Sequence, residues 1–386
     1  MSDNQPVNRQ KGILIVDDTP DNLRLLSQIL TEHNYRVRVA TSGQQALDSA
    51  ALALPDLILL DIKMPGMDGF ATCTALKTRR ETRDIPVLFI SALDDVADKV
   101  HAFKVGGLDY ITKPFQPEEV LARVETHLAL HNLQRQLDRA NYKMTQELAL
   151  AGQVQASFLP DKLPQLPGWQ FAVTLLPARE TSGDFYDVFE LPDGRLGIIV
   201  ADVVDKGVCA ALFMALTYAL FRTHAVEMGQ SPTAVFTSVN HHILHHTHAD
   251  QFVTTFYGIL NPATGTLVYS NAGHCPALQI KNKETREGCW LPNTGVPLGV
   301  LEQATWQQEE VLLQPGDTLL IYTDGVIEAQ NPAGEFYSRE RLITLAREPL
   351  RRTAVHLKED ILHDIHQFRA QQHLTDDMVL FIVRRE

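Results

Sequence analysis

The chain has 386 residues, a formal net charge of −13 and 45% hydrophobic residues. That length predicts more than one domain, and that apolar content suits packed cores rather than disorder. The acidic balance argues against a nucleic-acid partner, which needs clustered Lys and Arg, and against a polybasic membrane anchor. Cys73, Cys209, Cys275 and Cys289 have no paired spacing and read as thiols of a reducing compartment. Met1 to Lys11 is polar and lacks the apolar stretch of a signal peptide. No apolar run approaches a membrane span in length. The expectation is a soluble, cytoplasmic protein that does not enter a membrane.

From Gly12 to His127, short β-branched runs alternate with amphipathic stretches. Ile13–Val16, Leu57–Leu60 and Val87–Ile90 are continuous apolar runs, the signature of strands buried on both faces of a parallel sheet. Between them, Leu23, Leu26 and Leu30 share one helical face, as do Val96, Val100 and Phe103. Repeated β-α units predict a doubly wound α/β fold with a five-stranded parallel sheet. Each strand ends on a polar residue: Asp17 and Asp18, Asp61, Ser91, and Lys113 after the run Asp109–Thr112. Such ends cluster at the carboxyl edge of an open α/β sheet. Three crowded carboxylates call for a hard divalent cation such as Mg²⁺. A lysine and a hydroxyl beside them suit a phosphoryl group.

Asp17-Asp18, the run from Asp61 to Gly69, Ser91-Ala92 and Lys113-Pro114-Phe115 resemble the receiver domain of two-component response regulators. The resemblance implies that Asp61 accepts a phosphoryl group from a sensor histidine kinase or phosphotransfer protein. It implies a Mg²⁺ held by Asp17, Asp18, Asp61 and the Lys63 carbonyl. Ser91 and Lys113 would bind the phosphoryl oxygens, and Tyr110 would reorient with Ser91.

Leu128 to Phe158 contains no Pro and one Gly, and reads as a linking helix. A heptad places Leu130, Leu137, Met144, Ala151 and Phe158 at a, and Leu133, Ala140, Glu147 and Val154 at d. This spacing predicts a parallel coiled coil and a homodimer; the alternative is one amphipathic helix packed on its own domain.

From Leu159 to Glu386, Pro and Gly return with longer strand-like runs. Four acidic motifs stand out: Ser182-Gly-Asp184-Phe-Tyr-Asp187, Asp202-Val-Val-Asp-Lys-Gly207, Asp324-Gly325 and Asp376-Asp377. Three abut strand-like runs. Carboxylates without His or Cys partners favour Mg²⁺ or Mn²⁺ over zinc, and four suffice for a binuclear site that directs water at phosphorus. The run Asn240 to His248 places His242 and His246 four apart. No Glu follows the first His as in a zinc protease, so a solvated helix face is expected. His274 reads as a loop residue, with a place near substrate as the alternative.

In order, these motifs resemble the SpoIIE/RsbU-type branch of the PP2C protein phosphatases. Leu159-Pro160, Ala210–Met214, Asn271–Pro276 and Pro315-Gly-Asp317 add to the match. The resemblance implies an α+β sandwich of two antiparallel sheets flanked by helices. It implies hydrolysis of phosphoserine or phosphothreonine with two Mn²⁺ or Mg²⁺ ions. Asp202 would bridge both metals. Asp184 and the Val203 carbonyl would complete one site, Asp324 and Asp377 the other, with Asp187 and Asp376 as neighbours. The implied substrate is a phosphorylated anti-sigma-factor antagonist of the STAS type. Where many members read Asp-Val-Ser-Gly-Lys-Gly, this chain has Val204 and Asp205, and Ser182 replaces a frequent Gly; no ligand is lost. The rival reading is a non-catalytic adaptor that binds a sigma factor or anti-sigma partner. The retained Asp184, Asp202, Asp324 and Asp377 favour the enzyme.

Overall fold

A computed structural model of the chain describes residues 10–91, 96–228, 231–246, 251–282, 287–348, 353–370 and 372–386. The chain divides into two compact units, with the boundary between Tyr142 and Lys143.

In the first unit, β1 (Gly12–Val16), β3 (Leu57–Asp61) and β4 (Val87–Ser91) are buried at every position, as continuous apolar runs require when helices cover both faces. With β2 (Arg36–Ala40) and β5 (Asp109–Thr112) they form a parallel sheet in the order β2-β1-β3-β4-β5. Between β1 and β3 the chain order reverses, which opens a crevice at the carboxyl edge. Helix α1 (Pro20–Glu32) buries Leu23, Leu26 and Leu30, as their spacing predicts. α2 (Gly43–Leu52) and α3 (Gly69–Thr78) follow β2 and β3. α4 (Val96–Lys104) departs from expectation. Val100 and Phe103 are exposed, and Ala102 is the residue that joins the core. The end of the helix closes directly onto the next turn, where Gly107 N–H donates to the Ala102 carbonyl at 3.0 Å, and a small side chain fits that approach. The Val96 side chain and Ala92 lie outside the described residues.

Helix α5 is unbroken from Pro117 to Ala156. Its first turns place Val120, Val124 and Leu128 in the core of the first unit. The boundary expected at His127 therefore falls inside a helix. Beyond it Leu130, Leu133, Leu137, Met144 and Val154, all heptad positions, are 54–61% exposed. Phe158, the last a position, lies past the helix end, with its ring 6.3 Å from that of Tyr218.

The second unit contains two antiparallel five-stranded sheets. One, ordered β13-β10-β9-β8-β7, is built from β7 (Phe185–Glu190), β8 (Leu196–Val203), β9 (Val253–Leu260), β10 (Thr266–Ala272) and β13 (Glu309–Leu312). The other, β12-β11-β14-β15-β6, is built from β6 (Trp169–Leu176), β11 (Ala277–Ile280), β12 (Gly288–Leu291), β14 (Thr318–Tyr322) and β15 (Met378–Arg385). α6 (Val208–Glu227) and α7 (Pro232–His246) cover the first sheet; α9 (Ser338–Ala346) and α10 (Ala354–Arg369) cover the second; the short α8 spans Asp324–Ile327.

Strand side chains alternate between faces, and the cores follow. Ile198 and Val200 of β8 pack between the sheets, while Ile199, Ala201 and Val203 face the helices. Val379 and Phe381 of β15 point inward between the sheets, while Met378 and Leu380 face α10. Contrary to the expectation that no run has the length of a span, α6 is long and apolar enough to cross a membrane. Here its Phe213, Met214, Phe221 and Ala225 are buried against the sheet, the pattern of a core helix.

Candidate functional site

In the first unit the carboxyl edge of the sheet gathers the residues expected there. Ligand atoms of Asp17, Asp18 and Asp61 lie within 4.8 Å of one another, the one such group of three acidic, His or Cys side chains among the described residues. Asp17 and Asp61 are buried, and Asp18 is exposed. Lys113 Nζ bridges them, 2.9 Å from Asp17 Oδ2 and 3.0 Å from Asp61 Oδ2. The Asn22 amide and the Thr19 N–H also donate to Asp17. Burial raises the Asp61 carboxyl above its ordinary value; Asp17 and Asp18 add to this, and Lys113 works against it. Burial would lower the Lys113 ammonium, but its bonds to Asp17 and Asp61 outweigh that and hold it above its usual value. Ser91 is buried at the end of β4, and its carbonyl accepts Lys113 N–H at 2.8 Å. Tyr110 is half-buried on β5, with the Arg123 guanidinium 5.7 Å from its ring centre. Lys63 is exposed, two residues past Asp61. An all-oxygen donor set with a single cationic side chain among its partners fits a hard divalent ion.

In the second unit, strand parity brings the acidic motifs to one end of the inter-sheet layer. Asp202 continues the inward series Ile198 and Val200. Asp184 continues that of Val188, Thr323 that of Leu319 and Ile321, and Asp377 that of Val379 and Phe381. Asp184 is 2% exposed, and its Oδ2 is buried without a hydrogen-bond partner. Burial raises its carboxyl well above the usual range, and Asp202 raises it further. Asp202 is pushed up to about 7, first by burial and then by Asp324, with Asp376 and Asp377 adding. Asp324 is pushed up to about 6 by burial, Asp376 and Glu328. Carboxylates that suppress one another's ionisation, one of them with an unsatisfied buried oxygen, are the environment a divalent cation relieves. They do not crowd within 4.8 Å as the first trio does; ligands of two ions a few ångströms apart are spread more widely.

Asp377, Asp376 and Asp187 differ in their surroundings. Asp377 accepts Ala178 N–H on one oxygen at 2.7 Å and Gly183 N–H on the other at 2.8 Å, so it holds the loop that carries Asp184. Asp376 is the half-buried member that faces Asp202 and Asp324; Lys206 Nζ lies 2.9 Å from it. Asp187 has the opposite strand parity, with Phe185 and Phe189. It is fully buried toward α6, where Arg222 Nε lies 2.5 Å away. Asp187 is therefore a core ion pair rather than part of the acidic end.

The Asp324-Gly325 step is not an ordinary turn. A Cβ at Gly325 would lie 1.9 Å from the Asp377 carbonyl, so the Gly lets the two acidic motifs meet. Asp205 adopts φ +80°, the left-handed region, which explains why a glycine is frequent there. Asp317 is buried and accepts the N–H groups of Gln314 and Asn282, so it ties a turn. His274 is buried. Its ring bonds the Thr254 hydroxyl at 2.9 Å, its N–H bonds Asn271, and burial pushes it down to about 3. In the His run, His242 bonds its own helix at the Ser238 carbonyl, and its ring lies 4.7 Å from that of His224. The His246 side chain and His248 lie outside the described residues. Missed from the sequence were Thr323 and Gln155. Thr323 ties β14 to Val379, and Gln155, on α5, bonds the backbone of Ser182. The only sequence trace of Gln155 is a polar residue one turn after Gly152.

A parallel sheet with an acidic crevice, and a helix-covered double sheet with carboxylates at one end, define a receiver joined to a PP2C-like unit. Residues 192–386 match the family described as Stage II sporulation protein E, and residues 13–125 match the response regulator receiver domain. The chain thus belongs to the SpoIIE family and carries an N-terminal receiver domain. It is 28% identical over 263 residues to phosphoserine phosphatase RsbU of Bacillus subtilis, covering 68% of this chain and 75% of that protein. It is 34% identical over 223 residues to protein IcfG of Synechocystis sp., covering 51% of this chain and 35% of IcfG, so it spans about a third of that relative's length. The SiaA-PP2C domain of Pseudomonas aeruginosa shares the fold, with a TM-score of 0.57 at 20% identity over 64% of this chain and 98% of that one.

Proposed function

We propose that the second unit is a protein phosphatase acting on phosphoserine or phosphothreonine, under the control of phosphorylation at Asp61. The observation that carries this reading is the buried Asp184 carboxylate, with one oxygen unpartnered, beside Asp202 and near Asp324. These three side chains and the Val203 carbonyl would hold two Mn²⁺ or Mg²⁺ ions, with Asp376 at the rim and Asp377 fixing the Asp184 loop. Such ions supply Lewis acidity that activates water and neutralises phosphoryl oxygens. Asp377 keeps the N–H groups of Ala178 and Gly183 satisfied and so ties the loop that carries Asp184. Cys275 is disfavoured as a nucleophile, because burial pushes its thiol up to about 12.

In the receiver, Asp17, Asp18, Asp61 and the Lys63 carbonyl would hold Mg²⁺. Ser91 and Lys113 would receive the phosphoryl oxygens, and Tyr110 would follow Ser91. The phosphodonor is a sensor histidine kinase or phosphotransfer protein. The likeness to phosphoserine phosphatase RsbU supports a phosphoserine substrate, for which a phosphorylated STAS-type antagonist is the candidate that the family resemblance implies, and the exposed heptad of α5 supports a homodimer. The protein works in the cytoplasm, without nucleic acid or membrane.

The test is hydrolysis of p-nitrophenyl phosphate by the full chain, with and without Mn²⁺ and with and without beryllofluoride as an acyl-phosphate mimic. Mn²⁺-dependent turnover that falls by at least about a hundredfold in Asp202→Ala is the expected result. Absence of turnover with every divalent metal, the mimic and a phosphopeptide would favour the adaptor.

A further inference from the structure

A long polar side chain is seldom buried unless its hydrogen bonds are met. Gln155, in the last turn of α5, is 7% exposed. Both ends of its amide engage one residue: Oε1 accepts Ser182 N–H at 2.9 Å, and Nε2 donates to the Ser182 carbonyl. The side chain therefore pairs with Ser182 at both donor and acceptor, as a neighbouring strand would.

Ser182 is not a passive partner. It stands two residues before Asp184, and its hydroxyl accepts Asp184 N–H at 3.0 Å. The next residue, Gly183, donates to Asp377 at 2.8 Å. One turn before Gln155, on the same helix face, Gly152 lets α5 come in so close that a Cβ there would be 2.0 Å from the Glu180 carbonyl. The loop 180–184 is thus held from one side by Asp377 and from the other by the end of α5, with Gln155 as the polar grip.

We propose that Gln155 is a positioning residue for Asp184: the end of α5 holds the Asp184 carboxylate in place through Ser182. The assignment rests on the reading of Asp184 as a metal-binding carboxylate. It makes the helix part of the metal site's support, so that withdrawal of α5 from the loop loosens the site without touching a ligand. Residues that orient ligands in this way characteristically change metal affinity tenfold to a hundredfold when removed.

Mn²⁺ binding to the full chain, measured by titration calorimetry, tests this together with amide hydrogen exchange of residues 178–184 in metal-free protein. Gln155→Ala should weaken Mn²⁺ binding at the phosphatase unit by about tenfold or more and speed exchange of the Ser182 amide. The KM for p-nitrophenyl phosphate at saturating Mn²⁺ should stay within about twofold. Gln155→Glu keeps the acceptor for Ser182 N–H and loses the donor. It should fall between wild type and Gln155→Ala, and it stands in if the alanine variant does not fold. Wild-type Mn²⁺ affinity in a folded Gln155 variant whose Ser182 amide exchanges faster would overturn the assignment and leave Gln155 a mere staple. Asp184→Ala separates the two readings. Unchanged Mn²⁺ binding there overturns the metal reading itself, and the positioning role with it. Weakened binding there with unchanged binding in Gln155→Ala overturns the positioning role alone.

Discussion

Asp205 sits at φ +80°, a conformation that costs a non-glycine residue about 1 kcal/mol. Its side chain recovers part of this by accepting Lys206 N–H at 3.0 Å. Asp205→Gly should therefore stabilise the phosphatase unit by about 0.5–1 kcal/mol, read as a higher urea midpoint at unchanged slope. A lower midpoint would show that the Asp205–Lys206 bond outweighs the strain. His274 offers a pH test. Its folded value is pushed down to about 3 by burial, while in the unfolded chain it titrates near the ordinary histidine value of about 6.5. Between those values only the unfolded state takes up the proton, so stability falls as pH drops through this window and is fully present above it. From pH 7 to pH 5 the wild type should lose about 2 kcal/mol more than His274→Gln; parallel losses would mean that the imidazole is protonated in the folded protein. At this scale the sequence pointed to carboxylates that the structure gathers, Asp17 with Asp61 and Asp184 with Asp202, because residue type alone marks them. It was uninformative for Asp187 and Asp377, whose type is the same and whose task depends on which way a strand presents them.

At the scale of elements, the buried runs of β1, β3 and β4 were legible because burial on both faces leaves no polar position to confuse the pattern. α4 was not. Val100 and Phe103 at helical spacing pointed to the wrong face, since the inner contact is made by Ala102, too small to weigh in a hydrophobic count. Strand parity could have been read from the sequence of the second unit. Asp187 is in phase with Phe185 and Phe189, and Asp184 is not. What parity could not give is the antiparallel order that brings β8 and β14, from different sheets, to one acidic end. The exposed heptad face of α5 carries its own prediction. Leu133→Glu with Leu137→Glu places charge on a seam whose residues are 61% and 57% exposed in the single chain. The double variant should shift the full chain from dimer to monomer in sedimentation velocity, with its thermal transitions almost unmoved, because neither side chain supports a core. Wild type that sediments as a monomer at high concentration would remove the coiled coil from consideration.

At the scale of the whole molecule, α5 is one helix with residues in the core of the first unit at its start and a grip on the Asp184 loop at its end. The sequence pointed to a helical link between its two families of motifs. It also pointed to a link that leaves the receiver and enters the second unit without a break, since nothing at residues 127–128 stops a helix: no Pro, no Gly and no cap. What it did not show is that Leu128, the first residue of that link, belongs to the core of the first unit.

If the response to phosphorylation passes along α5, that continuity gives any insertion a phase as well as a length. Each added residue advances a helix by about 1.5 Å and turns it by about 100°. Seven residues inserted after Tyr142 lengthen the rod by about 10 Å yet return its face to within about 20° of the original phase. Two residues lengthen it by only about 3 Å and turn the face more than half a revolution. If the response to beryllofluoride travels as rotation, the seven-residue insertion should keep it and the two-residue insertion should abolish it. If both insertions keep the response, the signal does not depend on the phase of the helix. A message of this kind would have an angle for its variable, and the chain would tolerate a much longer rod in phase more readily than a slightly longer one out of phase.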